Sequence, residues 1–525
     1  MSVTWEARGT LGGDDLATSL CDVSARSRTS AEPSRIIVIG SGFGGLAAAI
    51  RLAARGHRVT VLEKLDAPGG RAYVFRQDGF TFDAGPTVIT APFLLEELWR
   101  LCGQKMSDHV DLRPISPFYR LRFDDGTFFN YGGSAAAMSA EVERLSPGDR
   151  DGYARFMRAS EAIYRVGFEE LGHKPFLHLS DMVRIIPKLV RLCGYRTVFG
   201  LVSSFVRDPK LQIALSFHPL LVGGNPFTTT AIYCLIAFLE QRFGVHFAMG
   251  GTGAIVSGLV RLAEGQGVRM RYGSEVAEIV VSNGRARGVR LTSGEVLGAD
   301  TVVSNADAAW TYRHLLASGV RHRWSDARLD RTRYSMGLYV WYFGTRKQYP
   351  EVAHHSILLG PRYRGLLDDI FKHKRLSPDM SLYLHRPTAT DPSLAPAGCD
   401  SFYVLAPVPN LEADVDWTAE AEPFRRRLEK RLAETVLPEL GAHIVTSRVM
   451  TPLDFQNRLL SYRGAAFSLE PTLGQSAWFR PHNRSEDVEN LYLVGAGTHP
   501  GAGLPGVLSS ARALDELIEA AHHVH

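Results

Sequence analysis

The chain has 525 residues, 45% hydrophobic and 22% charged, and a formal net charge of +4 at pH 7. That length exceeds one ordinary core, so two or more domains are expected. The small net charge and the lack of a basic stripe interleaved with aromatics argue against a nucleic-acid partner. Five scattered cysteines, Cys21, Cys102, Cys193, Cys234 and Cys399, form no C-x-x-C pair, which speaks for a reducing cytoplasm and against a disulfide framework or a zinc site.

Residues 1–34 are rich in Ser, Thr, Gly and charge and hold no apolar core of signal-peptide length, so a disordered extension is expected. The apolar run Ile36 to Ile39 then reads as a buried strand entering Gly40-Ser41-Gly42-Phe43-Gly44-Gly45, and Leu46, Ala49, Ile50 and Ala53 recur on one face of a following helix. Strand, glycine turn and helix in this order form a dinucleotide site. Gly40 permits the bend, Gly42 admits the phosphates and Gly45 allows close packing of helix on strand, while the helix N-terminus favours the negative charge. A second strand, Arg58 to Leu62, delivers Glu63 and then Lys64. A carboxylate about twenty residues past the glycines accepts hydrogen bonds from the adenosine ribose and repels a 2′-phosphate, which disfavours NADP.

Ala67-Pro68-Gly69-Gly70-Arg71-Ala72 and Phe80 to Thr87 come next. The planar fork of Arg71 can bond two phosphate oxygens at once, the alternative being a surface arginine after a turn. Asp181 and Arg184, three residues apart, share one helical face, as catalytic partners or as a surface ion pair. From Ile185 to Val206, apolar residues alternate with Lys188, Arg191 and Arg196, a pattern of a basic amphipathic surface on an anionic bilayer or of a core helix with a solvated edge. Leu211 to Leu239 carries no formal charge, yet Pro219, Gly223, Gly224, Asn225 and Pro226 interrupt it, so it is not one spanning helix. His218, among apolar residues there, reads as a satisfied core group.

Gly250 to Gly253 precede a helical stretch, Ala254 to Glu264, followed by a strand from Val268 to Tyr272. A hairpin from Glu275 to Leu291 turns at Ser282-Asn283-Gly284, and Asp300 to Asp307 supplies another strand and turn. His354 and His355 would face opposite sides of a strand, and His522, His523 and His525 read as a fraying tail, so no metal site is expected. Near the C-terminus, Asn490 to Val494 is strand-like and enters the glycine-rich turn Gly495 to Gly506. A helix with Pro505 in its first turn and Val507, Ala511, Leu514, Ile518 and Ala521 on one face is expected after it. Its N-terminus can stabilise negative charge on a bound group.

The Gly69-Gly70-Arg71 turn after the acid resembles that of the glucose-inhibited-division/amine-oxidase class of FAD enzymes. Further stretches, Phe80 to Thr90, Ser116 to Arg120, Ser216 to Phe227, Tyr403 to Pro409, Gln475 to Asn483 and Gly495 to Gly506, are similar to the bacterial-type phytoene desaturases of carotenoid biosynthesis. The likeness runs from about Ile36 to near the C-terminus, and generic FAD oxidoreductases share the first and last glycine turns but not the middle stretches.

This resemblance implies an α/β architecture: a discontinuous Rossmann-like FAD-binding domain of the amine-oxidase type (35–110, 250–310 and 450–525), a mixed-sheet substrate domain (111–130 and 311–449) and a helical membrane-facing subdomain (131–249). It implies FAD held by Gly40, Gly42, Phe43, Gly44, Gly45, Glu63, Lys64, Gly69, Gly70, Arg71, Pro86, Thr87, Val276, Gly495, Gly497, Gly506 and Val507. Pro86 and Thr87 would lie beside the flavin ring and the backbone of Val276 at the adenine. The implied substrate is a C40 polyene, 15-cis-phytoene, desaturated in successive rounds to lycopene or neurosporene, with Asp181 accepting the proton and Arg184 holding its charge. Such a substrate lives in the bilayer, so Ile185 to Leu239 would dock peripherally, as a monotopic surface, on the cytoplasmic side of the cell membrane. Oxygen or a quinone would take the electrons. Action on another carotenoid, as desaturase or isomerase, an amine oxidase, and a flavin-free prenyl-binding protein of the GDP-dissociation-inhibitor type are the rival readings.

Overall fold

The computed structural model describes residues 32–521. Most of the N-terminal extension, Cys21 and the tail histidines therefore lie outside the described residues. Alternation of Ile, Val and Leu, buried on both faces, builds a five-stranded parallel sheet in the order Leu491–Leu493, Thr301–Ser304, Arg35–Ile39, Arg58–Leu62, Arg269–Arg271. Ile37 of the central strand aligns with Val302 on one side and Thr60 on the other. Strands from three distant segments thus make one sheet, and the helices Phe43–Ala54, Thr252–Gly265 and Leu504–Arg512 pack together beside it.

The second large sheet has seven strands, in the order Ile444–Met450, Gly337–Thr345, Asp400–Val408, Leu382–His385, His355–Leu358, Tyr119–Arg122, Phe128–Tyr131. All its pairs are antiparallel except His355–Leu358 on Tyr119–Arg122. The hairpin expected after Glu275 forms from Val276–Ser282 and Arg285–Leu291, with Val296–Gly298 as a third strand.

Between the sheets in sequence lies a helical region that includes Ala135–Leu145, Arg150–Tyr164, Leu179–Arg191, Pro209–Ser216 and Leu235–Phe243. The apolar stretch from Leu211 to Leu239 is divided between helix, 3-10 turns and helix, as its prolines and glycines require. Among the described residues no helix is long and apolar enough to cross a membrane. The C-terminal helix is shorter than its apolar spacing suggested. It ends at Arg512, a four-residue turn Leu514–Leu517 follows, and Ala521 instead donates its N–H to the carbonyl of Arg55.

Asp83 ties the parts together. It ends the strand Phe80–Asp83, and its carboxylate accepts from the N–H groups of Thr252 (2.8 Å) and Gly253 (3.2 Å) at the start of the Thr252–Gly265 helix. Burial raises its pKa from 3.8 to about 6 against the lowering effect of those donors. A raised carboxyl pKa means that the folded protein binds the proton more tightly than the unfolded chain. The contribution is most favourable below pH 4 and is lost as pH rises towards 6, by at most about 3 kcal/mol. Thermal melts of native protein and Asp83→Asn across this window should show the native protein losing ground to the variant as pH rises; parallel curves would refute the coupling.

Candidate functional site

A cavity of about 560 Å³ runs from the glycine turns of the parallel sheet to the apolar wall formed by residues such as Phe217, Leu239 and Ile357. It brings together fifteen of the seventeen residues expected to hold the cofactor: Gly40, Gly42, Phe43, Gly44, Glu63, Lys64, Gly69, Gly70, Arg71, Pro86, Thr87, Val276, Gly495, Gly506 and Val507 all line it. The other two act from behind. A Cβ on Gly45 would collide with the carbonyl oxygen of Gly40, which is the close helix–strand packing expected of it. Gly497 packs on Ala308 and Ser468, and its expected contact with the cavity is corrected accordingly.

The two glycine turns meet through a residue that sequence patterning did not single out. Asn305 follows the strand Thr301–Ser304, and its Nδ2 donates to the carbonyl of Gly40 at 3.4 Å. A Cβ added to Gly44 would stand 2.5 Å from Asn305 Oδ1 and 3.2 Å from the Cα of Gly495. Gly44 thus packs on the backbone of Gly495, and Gly495 in turn favours glycine through its φ of +99° and Asn305 Oδ1, which a Cβ there would meet at 2.9 Å. Within the Gln475 to Asn483 stretch, buried Arg480 donates to the carbonyl of Ala496 (3.0 Å), and Asn483 donates to that of His499 (3.1 Å). Those bonds fix the second turn and give the stretch a structural purpose.

The donor set fits a dinucleotide. Glu63 Oε2 accepts from the N–H (2.8 Å) and Oγ (2.6 Å) of Ser41, and Oε1 accepts from the N–H of Leu65 (2.9 Å). A carboxylate can accept about four bonds, which leaves capacity for a ribose hydroxyl. Arg71 donates one Nη2 bond to Ser461 (2.9 Å), while its buried Nε has no partner. Burial lowers its pKa, and the opposing charge of Asp307 raises it. Asp307 itself caps a helical turn through the N–H groups of Ala309 (3.0 Å) and Trp310 (3.2 Å), and its Oδ2 is likewise without a partner. An orphaned guanidinium N–H, the helix N-terminus at Gly42–Phe43 and a rim of glycine backbone in the cavity wall suit a pyrophosphate. Lys64 contributes less than expected, since its Nζ is held by Glu275 (3.3 Å) and the carbonyl of Asn457 (2.9 Å).

Beside the Pro86–Thr87 turn the wall becomes aromatic. Thr87 Oγ1 lies 2.6 Å from the hydroxyl of Tyr403 and 3.2 Å from that of Tyr383, both tyrosines of the seven-stranded sheet. Burial pushes both hydroxyls far above their ordinary pKa, so they stay protonated. Behind Tyr383 lies a group invisible in the chain order. His354, His355 and His385 come together with candidate ligand atoms within 4.8 Å of one another. The expectation that His354 and His355 lack partners is thereby corrected, because pairing of the two strands brings in His385. Burial keeps the imidazoles neutral, His354 at about 3 and the other two well below their ordinary value.

The expected catalytic pair is not at the cavity. Asp181 is the third residue of the Leu179–Arg191 helix and accepts from the N–H of His178 (3.0 Å) as half of a capping box. Arg184 is exposed, the two side chains form no ion pair, and neither lines the cavity. A role in proton transfer does not fit these positions. The same helix instead turns Met182, Ile185 and Leu189 into the cavity. His218 is 2% exposed and meets Glu240 Oε2 at 3.2 Å; Glu240 lines the cavity, a lone acid that apolar periodicity had concealed.

Comparison with known proteins places this geometry. The sequence model described as flavin containing amine oxidoreductase matches residues 43–513. The neurosporene-forming phytoene desaturase of Cereibacter sphaeroides is 50% identical over 493 residues, 93% of this chain and 95% of that protein. The lycopene-forming phytoene desaturase of Pseudescherichia vulneris is 50% identical over 485 residues, 92% of this chain and 99% of that protein. Among solved structures, wild-type putrescine oxidase bound to putrescine superposes with a TM-score of 0.62 at 13% identity, over 92% of this chain and 99% of that one, a likeness of fold.

Arg71→Ala removes a charged donor from the cavity wall, which costs about 1.5–3 kcal/mol. Flavin dissociation constants measured by fluorescence should rise about tenfold to a hundredfold on that estimate, with the melting profile of the flavin-free protein unchanged; equal affinity would remove Arg71 from the site.

Proposed function

The chain belongs to the flavin containing amine oxidoreductase family, and within it to the bacterial-type phytoene desaturases, and we propose that it desaturates the C40 polyene phytoene in successive rounds to lycopene or neurosporene. FAD, when bound, would supply the hydride-accepting oxidant for each round. The chain's own residues do the remainder. Arg71 and the amides at Gly42 to Gly44 hold the pyrophosphate, Glu63 the ribose, the helix N-terminus at Gly503–Leu504 faces the flavin ring, and the apolar wall orients a substrate that offers no polar handle and keeps water from it.

The observation that carries this reading is the continuity of the cavity. The dinucleotide motifs and a wall of Leu, Ile, Phe and Val side chains line one and the same space. Apart from groups such as Tyr383, Tyr403 and Glu240, this wall offers hydrocarbon rather than the groups that would hold an amine.

The Leu179–Arg191 helix supports entry of substrate from a bilayer. Its inner residues Met182, Ile185 and Leu189 line the cavity, while Leu179, Val183, Ile186 and Val190 on its outer side are 54%, 57%, 48% and 58% exposed. Exposed Arg184, Arg191 and Arg196 flank this stripe, a combination suited to the headgroup boundary of an anionic leaflet. Leu473, 39% exposed, also lines the cavity close to where Ala477 packs on Met182 and Ile185. We place the docking surface on this helix rather than across all of Ile185 to Leu239, since much of the latter is buried. The protein then lies peripherally on the cytoplasmic face of the membrane and passes its electrons to oxygen or a quinone.

Expression in cells that accumulate phytoene, with pigments separated by chromatography, tests the reaction: red lycopene or yellow neurosporene is expected, and unchanged phytoene with flavin-loaded protein present would overturn it. Docking is tested separately. Each valine entering the acyl boundary contributes on the order of 1 kcal/mol, so Val183→Asp combined with Val190→Asp should reduce flotation with anionic phospholipid vesicles more than tenfold at unchanged flavin content. Equal flotation would move the docking surface elsewhere.

A further inference from the structure

Each round of the desaturation proposed above, on which this inference rests, releases a proton inside a hydrocarbon-lined space. Four carboxylates line the cavity, Glu63, Glu240, Glu275 and Asp307. Three are engaged at the dinucleotide end: Glu63 by Ser41 and Leu65, Glu275 by Lys64, and Asp307 by helical N–H groups facing Arg71. Glu240 stands apart from them, on the Leu235–Phe243 helix next to Leu239.

Glu240 is 1% exposed, and among the described residues no Lys or Arg pairs with it. Burying a carboxylate without a cationic partner is costly, and an apolar side chain would fill a hydrophobic wall more cheaply. The surroundings are built to keep it there. Oε1 accepts from the hydroxyl of Tyr119 at 2.7 Å and Oε2 meets Nε2 of His218 at 3.2 Å, and neither partner lines the cavity. The carboxylate is thus held from behind while its own residue forms part of the wall. Burial, and then the charge of Glu240, raise the Tyr119 hydroxyl well above its ordinary pKa, so it remains a donor. Phe217 stacks on His218 with ring centroids 4.3 Å apart and fixes the imidazole.

Side-chain contacts link Glu240 to the Pro86–Thr87 turn. The ring of Tyr119 lies 5.8 Å from that of His355, His355 Nδ1 meets the Tyr383 hydroxyl at 2.7 Å, and that hydroxyl is 3.2 Å from Thr87 Oγ1. A short chain of side chains therefore joins Glu240 to the turn expected beside the flavin.

We propose that Glu240 is the proton acceptor of the desaturation, with Tyr119 and His218 as positioning residues. One substrate carbon gives up hydride, with both electrons of its C–H bond, to FAD as the oxidant. The neighbouring C–H bond then breaks, its electron pair becomes the second half of the new C=C bond, and the proton forms an O–H bond on the Glu240 carboxylate. Before that transfer, the Glu240 side chain is a polar group of the apolar wall that can face the positive charge developing on the polyene.

Glu240→Gln keeps the size and the acceptor for Tyr119 but cannot take the proton. With phytoene in liposomes, kcat should fall by roughly 10²–10⁴-fold at unchanged KM, with native flavin absorbance and melting temperature. Infrared difference spectra on mixing with phytoene should show carboxyl protonation in native protein and none in the variant. A variant within about threefold of the native rate, or one that keeps the infrared signal, overturns the proposal. If the glutamine variant fails to retain flavin, Glu240→Asp is read instead: it should keep the infrared signal and lose rate about tenfold or more, and undiminished kcat overturns the proposal. An inactive, flavin-loaded native protein would overturn the desaturase reading itself, an outcome distinct from active native and equally active variant.

Discussion

Everything in this molecule depends on two stretches of backbone, some 450 residues apart in sequence, meeting closely enough that a Cβ on Gly44 would stand 3.2 Å from the Cα of Gly495. Gly44 and Gly495 face each other across Asn305, and no side chain larger than hydrogen fits on the first without displacing the amide of Asn305. The central parallel sheet makes this meeting possible. Its strands come from both ends and the middle of the chain, so the turns after Arg35–Ile39, Thr301–Ser304 and Leu491–Leu493 all emerge at one sheet edge. Binding a ligand at the carboxyl ends of such strands is the general behaviour of open parallel sheets. The cost is entropic: loops of hundreds of residues must close before the site exists, and the sheet and the cofactor together stabilise that closure.

Around this junction the cavity is graded in polarity. At the sheet edge it offers backbone amides, a guanidinium with an unpaired N–H and ribose-binding carboxylate capacity. Past Pro86 and Thr87 it offers tyrosines locked as neutral donors by burial, then aliphatic and aromatic walls. A charged nucleotide and a hydrocarbon can therefore share one space without either entering the other's surroundings. Glu240 is the exception in the apolar portion, and its two partners, Tyr119 and His218, lie behind the wall. The Leu179–Arg191 helix is apolar on two sides for two different reasons: one side closes the cavity and the other is exposed beside arginines.

The FAD site was legible because its determinants are local. Strand, glycine turn and helix are consecutive, Glu63 follows from its spacing past the glycines, and the family resemblance supplied Arg71 and Gly506; each lines the cavity. The hairpin from Val276 to Leu291 was legible for the same reason, since Asn283 and Gly284 adopt positive φ at its turn. Asp181 misled because a carboxylate and an arginine three residues apart carry the same pattern whether they face a cavity or cap a helix. The backbone N–H of His178 decides in favour of the cap. His354 and His355 read as isolated because His385 approaches them only through strand pairing. The last helix was overextended from apolar spacing, which persists into the irregular segment that covers the first helix.

The amino-acid sequence by itself determined the cofactor class, the resemblance to carotenoid desaturases and the use of both chain ends around one nucleotide, because short-range backbone conformation and residue type carry that information. Only the tertiary structure decided which side of each helix meets the cavity, that Asn305 joins the two turns, and that Glu240 is the carboxylate left within the hydrocarbon wall. Those facts arise from packing between segments hundreds of residues apart, and helical periodicity records that a face is buried but not whether it is buried against protein, a cavity or a bilayer.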